Sequence, residues 1–186
     1  LTASRLNSSE KVRRVRFPLL DIASSKADSR IFRRSPPVLG YRKQQLQNQI
    51  KHLHHGELLV GNADIVETNH SNIPYLIAAP TMRVPMILAD TVNPYLAARA
   101  VLLLIKHGEF PSGALEGEQI SDGVKSVAFP GLGTGVGRVP PEKCALQVRT
   151  AIKEITLDEY EFPSSWADAQ MPHQQMYTDK FRDLQY

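Results

Sequence analysis

Ser126-Val-Ala-Phe-Pro-Gly131-Leu-Gly133-Thr134-Gly135-Val-Gly137-Arg-Val-Pro-Pro-Glu142 is the stretch on which the reading of this chain turns. Val124 to Phe129 reads as a strand. Glycines then alternate at 131, 133, 135 and 137, and Pro141-Glu142 opens a helix. Glycine has no Cβ, so its backbone can approach a ligand closely and adopt positive φ. Successive N–H groups in such a loop can form a nest for a phosphate. A following helix adds unpaired N–H groups and a partial positive charge, and Thr134 offers a hydroxyl. The candidate ligand-binding residues here are Gly131, Leu132, Gly133, Thr134, Gly135, Val136, Gly137 and Arg138. No Gly-Lys-Ser/Thr follows, which excludes a P-loop, and the glycines lack the G-x-G-x-x-G spacing of a dinucleotide fingerprint.

Outward from this turn, the pattern alternates strands and helices. Downstream, Cys144, Ala145, Val148, Ala151, Ile152 and Ile155 fall on one helical face. Upstream, Asn93-Pro94 reads as a helix start, with Asn93 and Asp90 as capping groups and Pro94 at a first-turn position. That helix runs to about His107, stops at Gly108, and is apolar nearly all round from Val101 to Ile105, which predicts burial. Glu109 to Gly123 reads as a loop. Tyr75 to Ala79 fits a buried strand. Val84 to Leu88 contains Pro85, which predicts an irregular or edge position. Leu58 to Val60 and Ala63 to Glu67 read as a strand interrupted at Gly61, and Thr68 to Asn72 as a polar turn. Leu46, Ile50 and Leu53 place a helix over Gln44 to His54, ended by Gly56.

The glycine turn resembles the second ligand loop of macro domains, where a strand ending in Phe-Pro leads into a loop of the type Ala-Leu-Gly-Thr-Gly-Val-Gly-Gly-Phe-Pro. Phe129, Pro130, Leu132, Gly133, Thr134, Gly135, Val136, Gly137 and Pro140 match it. Arg138 stands where the family usually has glycine, and Val139 where it often has an aromatic residue. Leu59-Val-Gly61-Asn-Ala63 is similar to the family's Gly-Glu-Ala stretch, and Tyr75 to Pro80 to its Val-Ile-His-Ala-Val-Gly-Pro strand. The resemblance covers about residues 56 to 155. It implies a three-layer α/β/α fold with a mixed central sheet, and a loop that wraps the diphosphate and distal ribose of ADP-ribose. It also implies, through Asp21-Ile22, an aspartate for the adenine amino group. The family's first ligand loop has no counterpart: Ser29 to Leu39 contains neither asparagine nor a glycine run.

Residues 1–40 are rich in Ser, Arg and Pro and read as an irregular segment, with one short strand at Val15 to Ile22; the fold class leaves room for N-terminal strands to be missing. The boundary near Tyr41 is abrupt enough to suggest a replaced segment or a shifted reading frame. Lys11, Arg13, Arg14, Arg16, Arg30, Arg33, Arg34, Arg42 and Lys43 concentrate charge there, on a chain of net charge +3. Such a block attracts polyanions, nucleic acid included, although only Phe17, Phe32 and Tyr41 are interleaved to stack on bases, and nucleic acid is not the favoured partner. The expected division is therefore 1–40, a macro-like domain over 41–158, and a C-terminal extension over 159–186 packing on the domain.

Single cysteine Cys144 excludes an internal disulfide or a multi-cysteine zinc site. It sits on the apolar helix face and reads as a buried thiol. A reducing compartment is the default, with the cytoplasm as the expected location, and no apolar run is long enough to cross a bilayer. His52, His54 and His55 read as cationic groups at a helix C-terminus rather than metal ligands. His173 lacks partners for a triad, and Trp166 reads as an anchor packing the tail. Neither cofactor nor metal is expected. The leading functional expectation is a module for ADP-ribose or ADP-ribosylated protein, with no membrane association. The alternatives are a hydrolase acting on ADP-ribosyl groups or O-acetyl-ADP-ribose, and a degenerate scaffold without catalysis.

Overall fold

The structure is a computed structural model and describes residues 37–71 and 73–181. Asp21, the expected strand Val15 to Ile22 and most of the basic segment lie outside the described residues. The elements run α1 (Pro37–Leu53), β1 (Asp64–His70), β2 (Ile73–Ala78), α2 (Asn93–His107), α3 (Ile120–Gly123), α4 (Pro141–Thr156) and α5 (Trp166–Gln175).

Helix α1 begins at Pro37, not near Gln44. Proline stops a helix only in its interior; in the first turn its missing N–H has no partner to lose. The helix ends where His55 and Gly56 take positive φ, 52° and 91°, and the Gly56 N–H returns to the Ile50 carbonyl at 3.2 Å.

Strands β1 and β2 pair antiparallel, with Ile65 opposite Ile77 and Val66 opposite Leu76. Alternation sends these pairs to opposite faces. Ile65 and Ile77 enter the main core with Leu88, Ala97, Val101, Ile120, Leu132 and Ala151. Val66, Leu76 and Ala78 meet Leu46 of α1 in a second cluster. The sheet is thus covered by helix on both faces, which is the layered α/β arrangement. The strand reaches further than the sequence suggests: Thr68 to His70 belongs to β1, where a register shift between Glu67 and His70 and Asn69 at φ 51° absorb the polar residues that read as a turn. Leu58 to Val60 is not a strand.

Among the described residues the sheet has two antiparallel strands. Val124 has extended backbone at φ −108° and ψ 106°, but residues 124–129 have no ladder partner among the described residues. A strand-like sequence makes a strand only where a neighbour supplies the other half of the hydrogen bonds. Val124, Val127, Ala128 and Phe129 instead contribute side chains to the main core. On α4, Cys144, Ala151 and Ile155 are buried as expected, whereas Ala145 and Ile152 lie exposed.

Capping of α2 is a correction. Its cap position has no side-chain hydrogen bond, and the Asn93 amide donates to the Thr81 carbonyl at 2.8 Å. The partner for the helix comes from α4. Gln147 is fully buried; its Oε1 accepts from the Tyr95 N–H at 3.0 Å. Its Nε2 donates to the carbonyls of Thr91 at 2.9 Å and Met176 at 3.1 Å. One amide therefore joins the start of α2, the middle of α4 and the end of α5.

Two predictions follow from this junction. Gln147→Leu strands three backbone groups, each costing about 1–3 kcal/mol when buried unpaired; urea unfolding should show a loss of about 3 kcal/mol or more at unchanged m-value. Nearby, the Tyr95 hydroxyl donates to Glu154 at 2.6 Å; burial, then this bond, raises its pKa above the ordinary value of 10.0. The neutral phenol is thus favoured in the folded state. Its contribution is complete below pH 10.0 and falls as pH rises beyond that, where the unfolded chain releases the proton first. Tyr95→Phe should flatten the alkaline limb of the stability–pH curve.

Candidate functional site

The glycine turn folds back on itself through backbone bonds. Thr134 N–H reaches the Gly131 carbonyl at 3.3 Å, Val139 N–H the Gly133 carbonyl at 3.1 Å and Arg138 N–H the Gly135 carbonyl at 3.1 Å. Leu88 N–H donates to the Gly137 carbonyl at 2.7 Å, tying the turn to the segment after β2. Leu132 is buried in the main core, so any contact it makes with a ligand is through its backbone.

The alternating glycines do different jobs. A Cβ on Gly137 would lie 2.5 Å from the Gly133 carbonyl oxygen, and one on Gly131 would lie 2.5 Å from Thr134 Oγ1. Gly133 has φ 68° and packs against Val139, Leu88 and Pro94. Gly137 and Gly133 are required by the backbone of the turn, whereas Gly131 is crowded by the Thr134 side chain alone. Gly135 has nothing within 4 Å of a built Cβ and is exposed. Among the described residues, neither its N–H nor that of Val136 is spent on a backbone carbonyl. Gly135 and Val136 therefore form the part of the loop that faces outward with donors to offer.

Gly135, Val136 and Arg138 line a shallow cleft of about 620 Å³ with Pro85, Met86 and Ile87. Val84, Met86, Ile87 and Val136 are exposed, an apolar flank beside a polar loop, the mixture common in ligand sites. Arg138 is exposed and holds φ 54°, a conformation that accounts for glycine being at home here. The run with Pro85 is irregular, as its proline predicts.

Two donors anticipated from the sequence are committed elsewhere. The Thr134 hydroxyl donates to the Gly131 carbonyl at 2.9 Å. The start of α4 is capped by Pro140 and has Pro141 in its first turn. Proline has no N–H, so two positions that would feed an anion site are blank. Glu142 also adds a carboxylate to that first turn.

Sequence reasoning missed one buried polar centre. Asp64, almost fully buried, accepts from Gln49 Nε2 at 2.6 Å and from the Ile65 N–H at 2.8 Å. Its other oxygen meets His54 Nε2 at 3.2 Å. The His-rich helix end thus has a carboxylate partner, supplied by β1 ten residues on; a loop between them hid it. His173 stacks edge-on against Tyr177 at 5.6 Å. Trp166 is a correction: it opens α5 but is 81% exposed, since Gln174 and Met176, not the indole, are buried at the domain.

A family model for the macro domain matches residues 24–148, more than half of the chain. The match takes in the glycine turn and reaches upstream of Tyr41, but leaves out Asp21. No curated protein matches the chain. Among the described residues, no helix is long and apolar enough to cross a membrane.

The division of labour among the glycines is testable by thermal or urea unfolding. Gly137→Ala forces a Cβ into a backbone oxygen and should destabilise by about 1–3 kcal/mol or more. Gly135→Ala should leave stability unchanged to within about 0.5 kcal/mol.

Proposed function

Since the chain belongs to the macro domain family, we propose that it binds ADP-ribose, free or attached to protein, with its diphosphate on the outward part of the glycine loop. The observation that carries this reading is the open run at Gly135 and Val136, with unspent N–H groups beside Arg138. A diphosphate needs clustered donors and a positive charge, and both are offered here. The flank of Met86, Ile87 and Val136 suits the apolar faces of a ribose. Val139 is buried against Gly133, so the distal ribose would lose the aromatic packing that the family often provides. Asp21 is the proposed adenine partner.

Binding without turnover is the reading we favour. Hydrolytic members use asparagines of the first loop to orient the distal ribose and a water, and Ser29 to Leu39 contains no asparagine. Catalysis by positioning fails when the positioning group is absent.

Calorimetric titration with ADP-ribose, with AMP as control, tests the proposal. ADP-ribose should bind more tightly than AMP. Gly135→Glu should weaken binding at least tenfold, about 1.4 kcal/mol, because a carboxylate then meets the diphosphate; Gly135→Ala should weaken it less. Absence of binding by a folded sample would leave a macro scaffold that has lost its pocket.

A further inference from the structure

The connection from α4 to α5 and the helix that follows carry features that nucleotide binding does not use. A cleft of about 800 Å³ lies there, with Glu154, Asp158, Glu159, Glu161 and Asp168 on its walls beside Tyr95 and Tyr160. The neighbouring cations do not balance these carboxylates. Lys106 pairs with Asp158 at 2.6 Å and Lys153 with Glu159 at 3.2 Å; Arg99 acts on Tyr95, which donates to Glu154. His173 also lines the cleft. Glu161 has no ion pair among the described residues. Hydrogen bonds from Ser164 and Ser165 lower the Asp168 pKa below its ordinary value.

Alongside this charge stands a separate anomaly. Phe162 is 86% exposed, Trp166 81% and Tyr160 53%. Tyr160 and Phe162 meet edge-on at 6.4 Å; Tyr160 lines the cleft, and Phe162 and Trp166 lie in the same short stretch of chain. Aromatic surface gathered on one short stretch of a folded protein marks a contact site.

We propose that this face, from Glu159 to Asp168, is a docking surface for an arginine-rich polypeptide segment. Charge complementarity sets the sign of the partner, and the aromatic faces choose the side chain. A guanidinium is planar, stacks on aromatic rings and forks onto carboxylates, whereas an ammonium is a strongly hydrated point charge. An uncharged apolar partner would leave the carboxylates desolvated and unpaired, and a nucleic acid would meet them with like charge. Because the whole chain carries +3, attraction for a cationic peptide must arise from a local acidic face. Most of this surface lies beyond the stretch matched to the macro domain, residues 24–148, so the proposal stands apart from the ADP-ribose reading.

Trp166 is the only tryptophan in the chain, so its emission reports on this face. The full chain is titrated with a synthetic arginine–glycine peptide and with the same peptide carrying citrulline for arginine. The expected result is a saturable shift in Trp166 emission with the arginine peptide alone, weakened by salt. Glu161→Lys and, at unchanged charge, Phe162→Ser should each weaken binding at least fivefold. Glu116→Lys, an exposed reversal in the loop before α3, should leave it unchanged. Both decisive positions are exposed, so the fold should tolerate them; if Glu161→Lys unfolds the chain, Glu161→Gln and Phe162→Ser decide the matter. The proposal is overturned by an equal response to the citrulline peptide, by equal loss in Glu116→Lys, or by no saturable shift. Light scattering that shows a dimer with Trp166 shielded would overturn it in favour of a second copy of the chain.

Discussion

The side-chain amide of Gln147 is the constraint on which the rest of the structure depends. It is fully buried, and each of its polar atoms is used on backbone: Tyr95 N–H, Thr91 carbonyl and Met176 carbonyl. Helix α2 has no side-chain cap of its own, so its first turn is completed from α4. A buried amide that is fully satisfied fixes geometry more narrowly than apolar packing, since one displacement strains several bonds together. The crossing of α2 and α4, and the return of the chain after α5, are set at this point.

That junction also sets the glycine turn. Pro94, next to Tyr95, packs at the position a Gly133 Cβ would approach. Leu88 touches both Gly133 and Gly137 and donates its N–H to the Gly137 carbonyl. The inner side of the turn is therefore pressed against core and helix start, while Gly135 and Val136 are held outward. A loop supported in this way keeps its donors in place before a ligand arrives, which lowers the ordering cost of binding.

The same contrast separates the two surfaces of interest. At the turn, donors and Arg138 stand beside an apolar flank, suited to an anion with sugar attached. At the α4–α5 connection, carboxylates stand beside aromatic rings, suited to a planar cation. The two surfaces thus carry opposite electrostatics on one small chain with an overall charge of +3.

Much was legible in the sequence because it depended on near neighbours. The spacing of Cys144, Ala151 and Ile155, the Pro94 and Pro141 helix starts, the stop at Gly108 and the positive-φ Gly56 are local matters of period and backbone freedom. So was the glycine turn that pointed to the macro domain. What tertiary structure alone decided depended on residues far apart in the chain. The role of Gln147, between apolar neighbours on a helix face, emerges only when Thr91, Tyr95 and Met176 arrive beside it. Glycines of identical type were divided by what packs against them, so that Gly137 is forced by a carbonyl and Gly135 is free to face a ligand. Val124 to Phe129 has the composition of a strand, yet strand formation is a pairwise property, and composition cannot supply a neighbour. Trp166 looked like an anchor because indoles are usually buried; which side of α5 meets the domain was settled instead by Gln174 and Met176, through contacts that no local pattern encodes.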